Sequence, residues 1–207
     1  MNVGVLASGE GTNLQALLDT VHGREVDVVA VASDQPSSRA LQRAEAAGVA
    51  TRVFLRSDHG ERAARDAAMA DWLAERGVEL VVLAGYMAIL DAAFVARFPD
   101  RILNVHPALL PAFPGIRAIE QALDHGVKVF GVTVHLVDEG VDTGPIVLQR
   151  AIELPDARTP AEVHELLRPI EHELLPKAVA LMAAGRVRRD PEHPRRVLIA
   201  PANAGSR

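Results

Sequence analysis

Asn104 and His106 stand two residues apart at the end of a run with strand character, Arg101-Ile102-Leu103-Asn104-Val105. In a strand, residues i and i+2 share a face, so an amide and an imidazole project together. Ligands of open α/β sheets bind at the carboxyl ends of strands. An amide donor beside an imidazole suits a reaction that builds an oxyanion and moves a proton. The next residues, Pro107-Ala108-Leu109-Leu110-Pro111-Ala112-Phe113-Pro114-Gly115, form a stiff, non-repeating path with Leu110–Pro111 as a candidate cis bond. Asp142 follows in the glycine-rich stretch Asp138-Glu139-Gly140-Val141-Asp142-Thr143-Gly144-Pro145. If the strands on either side of that stretch flank the 101–105 strand, Asp142 returns to His106, orients its ring and stabilises the imidazolium. The trio then suits acyl transfer to an amine supplied by a substrate: Asn104 and His106 stabilise the oxyanion and Asp142 assists proton transfer. The alternative is a structural histidine closing a strand end, with Asp142 holding a turn. Spacing alone does not choose between them.

A second constellation, Ser8-Gly9-Glu10-Gly11-Thr12-Asn13, follows the first strand candidate directly. Glycines let backbone N–H groups approach a ligand, and a helix N-terminus favours an anion. Leu14 occupies the third glycine position of a dinucleotide fingerprint, and the lysine of a P-loop is missing. A compact phosphate fits better, bound by Gly11, Thr12 and Asn13. A capped turn with no ligand is the plainer reading of this stretch by itself.

The elements that must position these residues alternate. Strands are expected at Val3–Ala7, Val28–Ala32, Thr51–Leu55, Leu80–Ala84 and Arg101–Val105. Helices are expected from Gly11 or Thr12, over Ser37–Ala47 and over Glu61–Arg76. Near-continuous apolar strands suit a parallel sheet buried on both faces, and the rhythm predicts an α/β, Rossmann-like doubly wound, mostly parallel sheet. A short helix over Arg117–His125 precedes two strands, Val129–Val137 and Ile146–Leu154, whose glycine-rich connection suits antiparallel C-terminal strands. Thr159–Ala184 is the longest helical pattern, with a kink or break expected at Pro169 or Pro176. A domain over 1–188 and a poorly ordered tail over 189–207, with one short strand at Val197–Ala200, complete the expected plan.

The 207 residues are 49% hydrophobic and 24% charged, ordinary for one globular domain. Aromatics are only 3%, so the core must be aliphatic; Trp72 is expected within it. There is no cysteine, which excludes disulfides, thiolate chemistry and cysteine-ligated metal. The start lacks a signal-peptide pattern and no apolar run spans a membrane, pointing to the cytoplasm without membrane partners. The net charge of −5 argues against nucleic acid. His164-Glu165-Leu166-Leu167-Arg168 starts like a zinc-protease helix but lacks the second histidine, so no metal is expected. The arginines at 186, 188, 189, 195 and 196 read as a solvated surface. Glu61, Arg62, Arg65 and Asp66 read as an ion-paired helix face.

Taken together, Ser8–Asn13, Val82-Leu83-Ala84-Gly85-Tyr86-Met87, Asn104–Gly115 and His135–Pro145 resemble the phosphoribosylglycinamide formyltransferases, folate-dependent enzymes of purine biosynthesis. The likeness runs in order over residues 1–188. It implies the formyltransferase fold, with a nucleotide-binding N-terminal half and a folate-binding C-terminal half. It implies formyl transfer from 10-formyltetrahydrofolate, as co-substrate, to the amine of glycinamide ribonucleotide. Asn104, His106 and Asp142 match the catalytic trio. Gly11, Thr12 and Asn13 match the phosphate site, and Glu171 a ribose contact. Met87, Ala88, Ile89, Leu90, Asp138, Glu139, Gly140 and Val141 match the folate site, with Arg62 near the folate's glutamate tail. Ala88 departs from the arginine or lysine usual there. His135 is placed in support of His106. The implied partners are small molecules, with a homodimer as the assembly to test. The rivals are methionyl-tRNA formyltransferase, formyltetrahydrofolate deformylase and a non-catalytic nucleotide sensor.

Overall fold

The computed structural model describes residues 1–201 and divides at Asn104/Val105 into two compact units. The first carries β1 (Asn2–Leu6), α1 (Thr12–Thr20), β2 (Asp27–Ser33), α2 (Arg39–Ala46), β3 (Ala50–Val53), α3 (Arg56–His59), α4 (Arg62–Ala74), β4 (Leu80–Leu83), α5 (Ala92–Arg97) and most of β5 (Ile102–His106). All its strands pair in parallel, in the order β3-β2-β1-β4-β5. The central strands are largely apolar: all four residues of β4 are buried, as are Val3, Val5 and Leu6 of β1. Edge strand β3 is never fully buried, which suits a sheet margin. Chain order reverses between β1 and β4, the switch point at which doubly wound sheets bind ligands. The loops after these two strands are Ala7–Gly11 and Ala84–Asp91.

The second unit begins at Val105, so the last two residues of β5 belong to it. It carries α6 (Ala118–Asp124), β6 (Val129–Leu136), β7 (Ile146–Glu153), α7 (Pro160–Ala183), β8 (Val187–Arg189) and β9 (Val197–Ile199). Strand order runs on as β5-β6-β7, and β6 and β7 are antiparallel, with Val129 opposite Glu153. The outer strand β7 alternates in burial, the pattern of one face packed and one solvated.

The architecture agrees with the expected doubly wound sheet with antiparallel C-terminal strands, and most element boundaries fall within two residues of expectation. Three elements were not anticipated: α3, α5 and β8. The expected break in the long helix does not occur, since α7 runs 24 residues through Pro169 and Pro176. A mid-helix proline costs about 3 kcal/mol. Here Pro176 is itself buried, in a stretch with Leu174, Leu175, Ala178 and Val179, and burial of such side chains returns roughly 1.5–3 kcal/mol each. The start of α7 is also well fixed: Pro160 opens it, the Thr159 hydroxyl accepts from Glu162 N–H, and the Glu162 carboxylate accepts from Arg158 N–H. The short strand expected at Val197–Ala200 is present as β9, and it pairs with the unanticipated β8 from Val187–Ile199 to Arg189–Val197, so part of the tail expected to be poorly ordered is strand. Residues 202–207 of that tail lie outside the described residues. Trp72 is in the core as expected, edge-on to Phe54.

Candidate active site

His106 is the last residue of β5, and Asn104 precedes it by two on the same strand face. His106 is 5% exposed. Its Nε2 lies 2.8 Å from the Phe113 carbonyl oxygen. A carbonyl only accepts, so this nitrogen carries a hydrogen. Its Nδ1 faces Asp142 Oδ2 at 3.3 Å. The other carboxylate oxygen, Oδ1, faces His135 Nε2 at 3.5 Å. His135 is 2% exposed, and its Nδ1 is 2.9 Å from the Leu136 carbonyl oxygen, which likewise requires a hydrogen there. Each histidine therefore spends one nitrogen on a backbone carbonyl and turns the other to the same carboxylate. The Gly115 N–H donates to Asp142 Oδ2 at 2.7 Å. Burial alone would push the Asp142 carboxyl up. The hydrogen bond from His135, the Gly115 N–H and the charges of His106 and His135 outweigh it and hold the carboxyl below its usual range.

The segments that present these groups are irregular but tightly held. Thr133, fully buried on β6, donates through Oγ1 to the Ala108 carbonyl at 2.6 Å and accepts from Leu110 N–H at 3.1 Å. Gln149 Nε2 donates to the Leu110 carbonyl at 2.7 Å and to Thr133 Oγ1 at 2.9 Å. Leu110 is thus pinned at both its N–H and its carbonyl, and the Leu110–Pro111 peptide is cis. Phe113 and Asp142 both have positive φ, 54° and 53°, a conformation that costs a non-glycine residue roughly 1–3 kcal/mol and persists only where surroundings impose it. Gly144 is obligatory for the Asp142 loop: a Cβ there would lie 1.8 Å from the Leu136 carbonyl oxygen.

In the first unit, Gly11 N-caps α1 at φ 70°, and a Cβ on it would strike the Ala40 backbone at 2.7 Å. The Gly9 carbonyl accepts from Ser38 Oγ and Ala40 N–H, and the Glu10 carbonyl from Arg43 Nε. These bonds turn the loop carbonyls toward α2. Thr12 and Asn13 form the first turn of α1, the positive end of the helix dipole, which favours an anion. Met87, Ala88, Ile89 and Leu90 lie on the irregular segment after β4, with Met87 and Ile89 largely exposed. Arg62 opens α4, half-exposed and 3.8 Å from Asp91. The expected ion-paired face needs correcting: Arg65 and Asp66 are buried and paired at 2.6 Å.

The remaining candidates sit in the second unit. Glu171 falls within the buried stripe of α7, between Leu167 and Leu174, and is 5% exposed. A carboxylate at such a position is costly unless used. Asp138 closes the Asp142 loop, accepting from Gly140 N–H and Thr143 Oγ1, while Glu139 and Val141 are exposed. Asp142, His106 and His135 are brought together as expected. Sequence reasoning missed the Phe113 carbonyl and Gly115 N–H, because backbone groups leave no residue-type signal, and it missed Thr133 and Gln149, which read as ordinary strand residues. Among the described residues no group of three His, Asp or Glu side chains is placed to hold a metal ion, and no helix is long and apolar enough to cross a membrane.

The sheet is of the doubly wound α/β class, with an Asn-x-His sequence ending β5 and Asp142 on the glycine-rich connection between β6 and β7. The chain belongs to the formyl transferase family, whose sequence profile matches residues 1–179. Within that family it is similar to proteins named phosphoribosylglycinamide formyltransferase. The one from Mycobacterium tuberculosis is 46% identical over 86% of this chain and 83% of its own length. The one from Bacillus subtilis is 38% identical over 84% of this chain and 91% of its own. The crystal structure of glycinamide ribonucleotide transformylase 1 from Symbiobacterium toebii matches with a TM-score of 0.92 at 45% identity, covering 97% of this chain and 94% of that one. The chain also matches the trifunctional purine biosynthetic protein adenosine-3 of Bos taurus at 43% identity, over 90% of this chain but only 19% of the longer protein.

Proposed function

We propose that the protein transfers a formyl group from 10-formyltetrahydrofolate to the primary amine of glycinamide ribonucleotide. The observation that carries this reading is the partly buried Asp142 carboxylate, shared by the buried His106 at 3.3 Å and His135 at 3.5 Å, at the end of the Asn104–His106 strand. No serine or cysteine nucleophile is needed, because the attacking amine comes with the substrate. As the amine adds to the formyl carbon, charge builds on the formyl oxygen. The Asn104 amide and a His106 N–H supply the donors for it. For His106 to reach that oxygen, its Nε2 hydrogen exchanges the Phe113 carbonyl for the substrate. The amine loses one proton and the departing folate nitrogen gains one. Asp142, held ionised, takes up the first through water and returns it through the His106 pair, while His135 holds the carboxylate in place.

In this reading the N–H groups of Gly11, Thr12 and Asn13 hold the nucleotide phosphate and Glu171 its ribose hydroxyls. Met87, Ala88, Ile89 and Leu90, with residues 138–141, face the pterin, and Arg62 faces the glutamate tail. Residues 1–188 act as the formyltransferase domain, its N-terminal half binding nucleotide and its C-terminal half folate, and 189–207 as an appendage. The protein works in the cytoplasm on small molecules, without nucleic acid or membrane, and as a homodimer. Steady-state formyl transfer, followed by folate absorbance with glycinamide ribonucleotide added or omitted, tests the reading. Turnover requiring both substrates is expected. Folate turnover without the nucleotide would make the protein a hydrolase, and nucleotide binding without turnover would make it a sensor.

A further inference from the structure

The segment after β4 presents Met87 at 67% and Ile89 at 60% exposure, on backbone that belongs to no helix or strand. Exposed apolar side chains on free backbone would make a poor binding surface, because a ligand must first order them. This backbone is tied at both ends within the first unit. At its start, the Ser8 hydroxyl accepts from Met87 N–H at 2.9 Å while donating to Asp34 Oδ1, and Ser8 N–H donates to the Gly85 carbonyl. Between them Tyr86 is buried, its phenol pushed up by that burial against the opposing pull of Arg65. At its far end, Asp91 N–H donates to Asp66 Oδ2 at 2.7 Å. Asp66 is fully buried on α4, and Arg65 binds its other oxygen, Oδ1, through Nε at 2.8 Å. A carboxylate fully removed from water is retained only with a charge partner and hydrogen bonds. Here the partner is the adjacent arginine, and the remaining oxygen is aimed at the backbone of an irregular segment.

We infer that Asp66, paired with Arg65, is a positioning residue for co-substrate binding: it fixes the Met87–Leu90 backbone so that its apolar side chains meet the pterin ready-ordered. This rests on the folate role given to that segment above. Loss of the anchor should weaken folate alone, since the phosphate loop after β1 keeps its own bonds to α2. The test is steady-state kinetics with both substrates varied, on Asp66→Asn and on Asp91→Pro. Asp91 has φ −74°, which proline accepts, and the substitution deletes the N–H without touching the buried ion pair. Asp91→Ser keeps both the N–H and a capping oxygen and serves as the control.

The expected result is a rise of about ten-fold in the KM for 10-formyltetrahydrofolate, the equivalent of one hydrogen bond. The KM for glycinamide ribonucleotide should stay within about two-fold, and Asp91→Ser should resemble the parent protein. A merely structural role would move both KM values together, and that outcome overturns the inference. If Asp66→Asn does not fold, Asp91→Pro decides alone. Ile89→Ala separates the two levels. An unchanged folate KM in that variant overturns the folate reading of the segment, and this inference with it. A raised folate KM in Ile89→Ala, with none in Asp66→Asn or Asp91→Pro, overturns this inference only.

Discussion

Asp142→Asn removes one charge and keeps the shape of the side chain. The amide oxygen still accepts the Gly115 N–H, now at 2.7 Å from the carboxylate, so the loop should hold. What disappears is the counter-charge for two imidazoles at 3.3 and 3.5 Å. Where the imidazole is protonated, such a pair carries about 5 kcal/mol of Coulomb energy at an effective dielectric near 20. Desolvation of the buried groups offsets most of it, and the part felt by the reaction is the 10²- to 10⁴-fold typical of a positioned acid–base group. We expect kcat to fall roughly 10²- to 10³-fold, about 2.7–4 kcal/mol of barrier, with nucleotide binding at the α1 end changed less than two-fold. The assay is folate-linked turnover, paired with equilibrium titration of the nucleotide. A kcat within about three-fold of the parent would refute the proton-transfer role of Asp142, and lost nucleotide binding would make it structural. The pH dependence has a defined sign. The carboxyl is lowered in the folded protein, so its stabilising contribution is present above the unfolded value of about 3.9 and lost as pH falls through the folded one. Its acid limb therefore lies below about pH 4. His135→Ala removes the foremost of the groups that lower it and should move that limb upward.

His106→Ala should abolish measurable turnover, by 10²-fold or more for a lost oxyanion donor, while sparing nucleotide binding; joint loss of both would assign His106 to the fold. Gly144→Ala puts a methyl 1.8 Å from the Leu136 carbonyl oxygen, so the Asp142 loop must shift; turnover should collapse with a retained far-ultraviolet spectrum, and normal activity would sink the claimed loop geometry. Thr133→Val strands the Leu110 N–H in a fully buried setting, which should cost about 1–3 kcal/mol in denaturant unfolding and lower kcat more than either KM.

The sheet could be read from the chain because its central strands are continuous apolar runs, and residues such as Leu80–Leu83 have no other place to go. The return of Asp142 to His106 followed from one further step, the placing of β6 and β7 after β5. Departures from the reading came where tertiary context overrides local preference. Pro176 looks like a helix breaker, yet it is held by burial in α7. Arg65 and Asp66 look like a solvated pair, yet they form a buried anchor, because an i,i+1 pair carries no period that would mark its face. Glu171 was placed by resemblance; its position in an apolar stripe, with Leu167 four residues before and Leu174 three after, was a signal available in the residues themselves. The partners of His106 and Asp142 at Phe113 and Gly115 are backbone groups and could not be read from residue type.

The two surfaces proposed for catalysis and folate binding are built on one plan. In each, reactive or sticky side chains sit on irregular backbone, and that backbone is bound to polar groups the core has already buried: Thr133 for the His106 loop, Asp66 and Ser8 for the Met87–Leu90 segment. Positive φ at Phe113 and Asp142 shows the cost of the arrangement. A helix or strand would remove that cost but would also commit its N–H and carbonyl groups to itself. The irregular path instead leaves the Phe113 carbonyl and the Gly115 N–H free to hold His106 and Asp142 before any substrate arrives. Preorganisation of this kind lowers a barrier only if the holding groups do not move. The buried anchors, rather than the exposed contacts, are therefore where substitutions should trade rate for little change in fold.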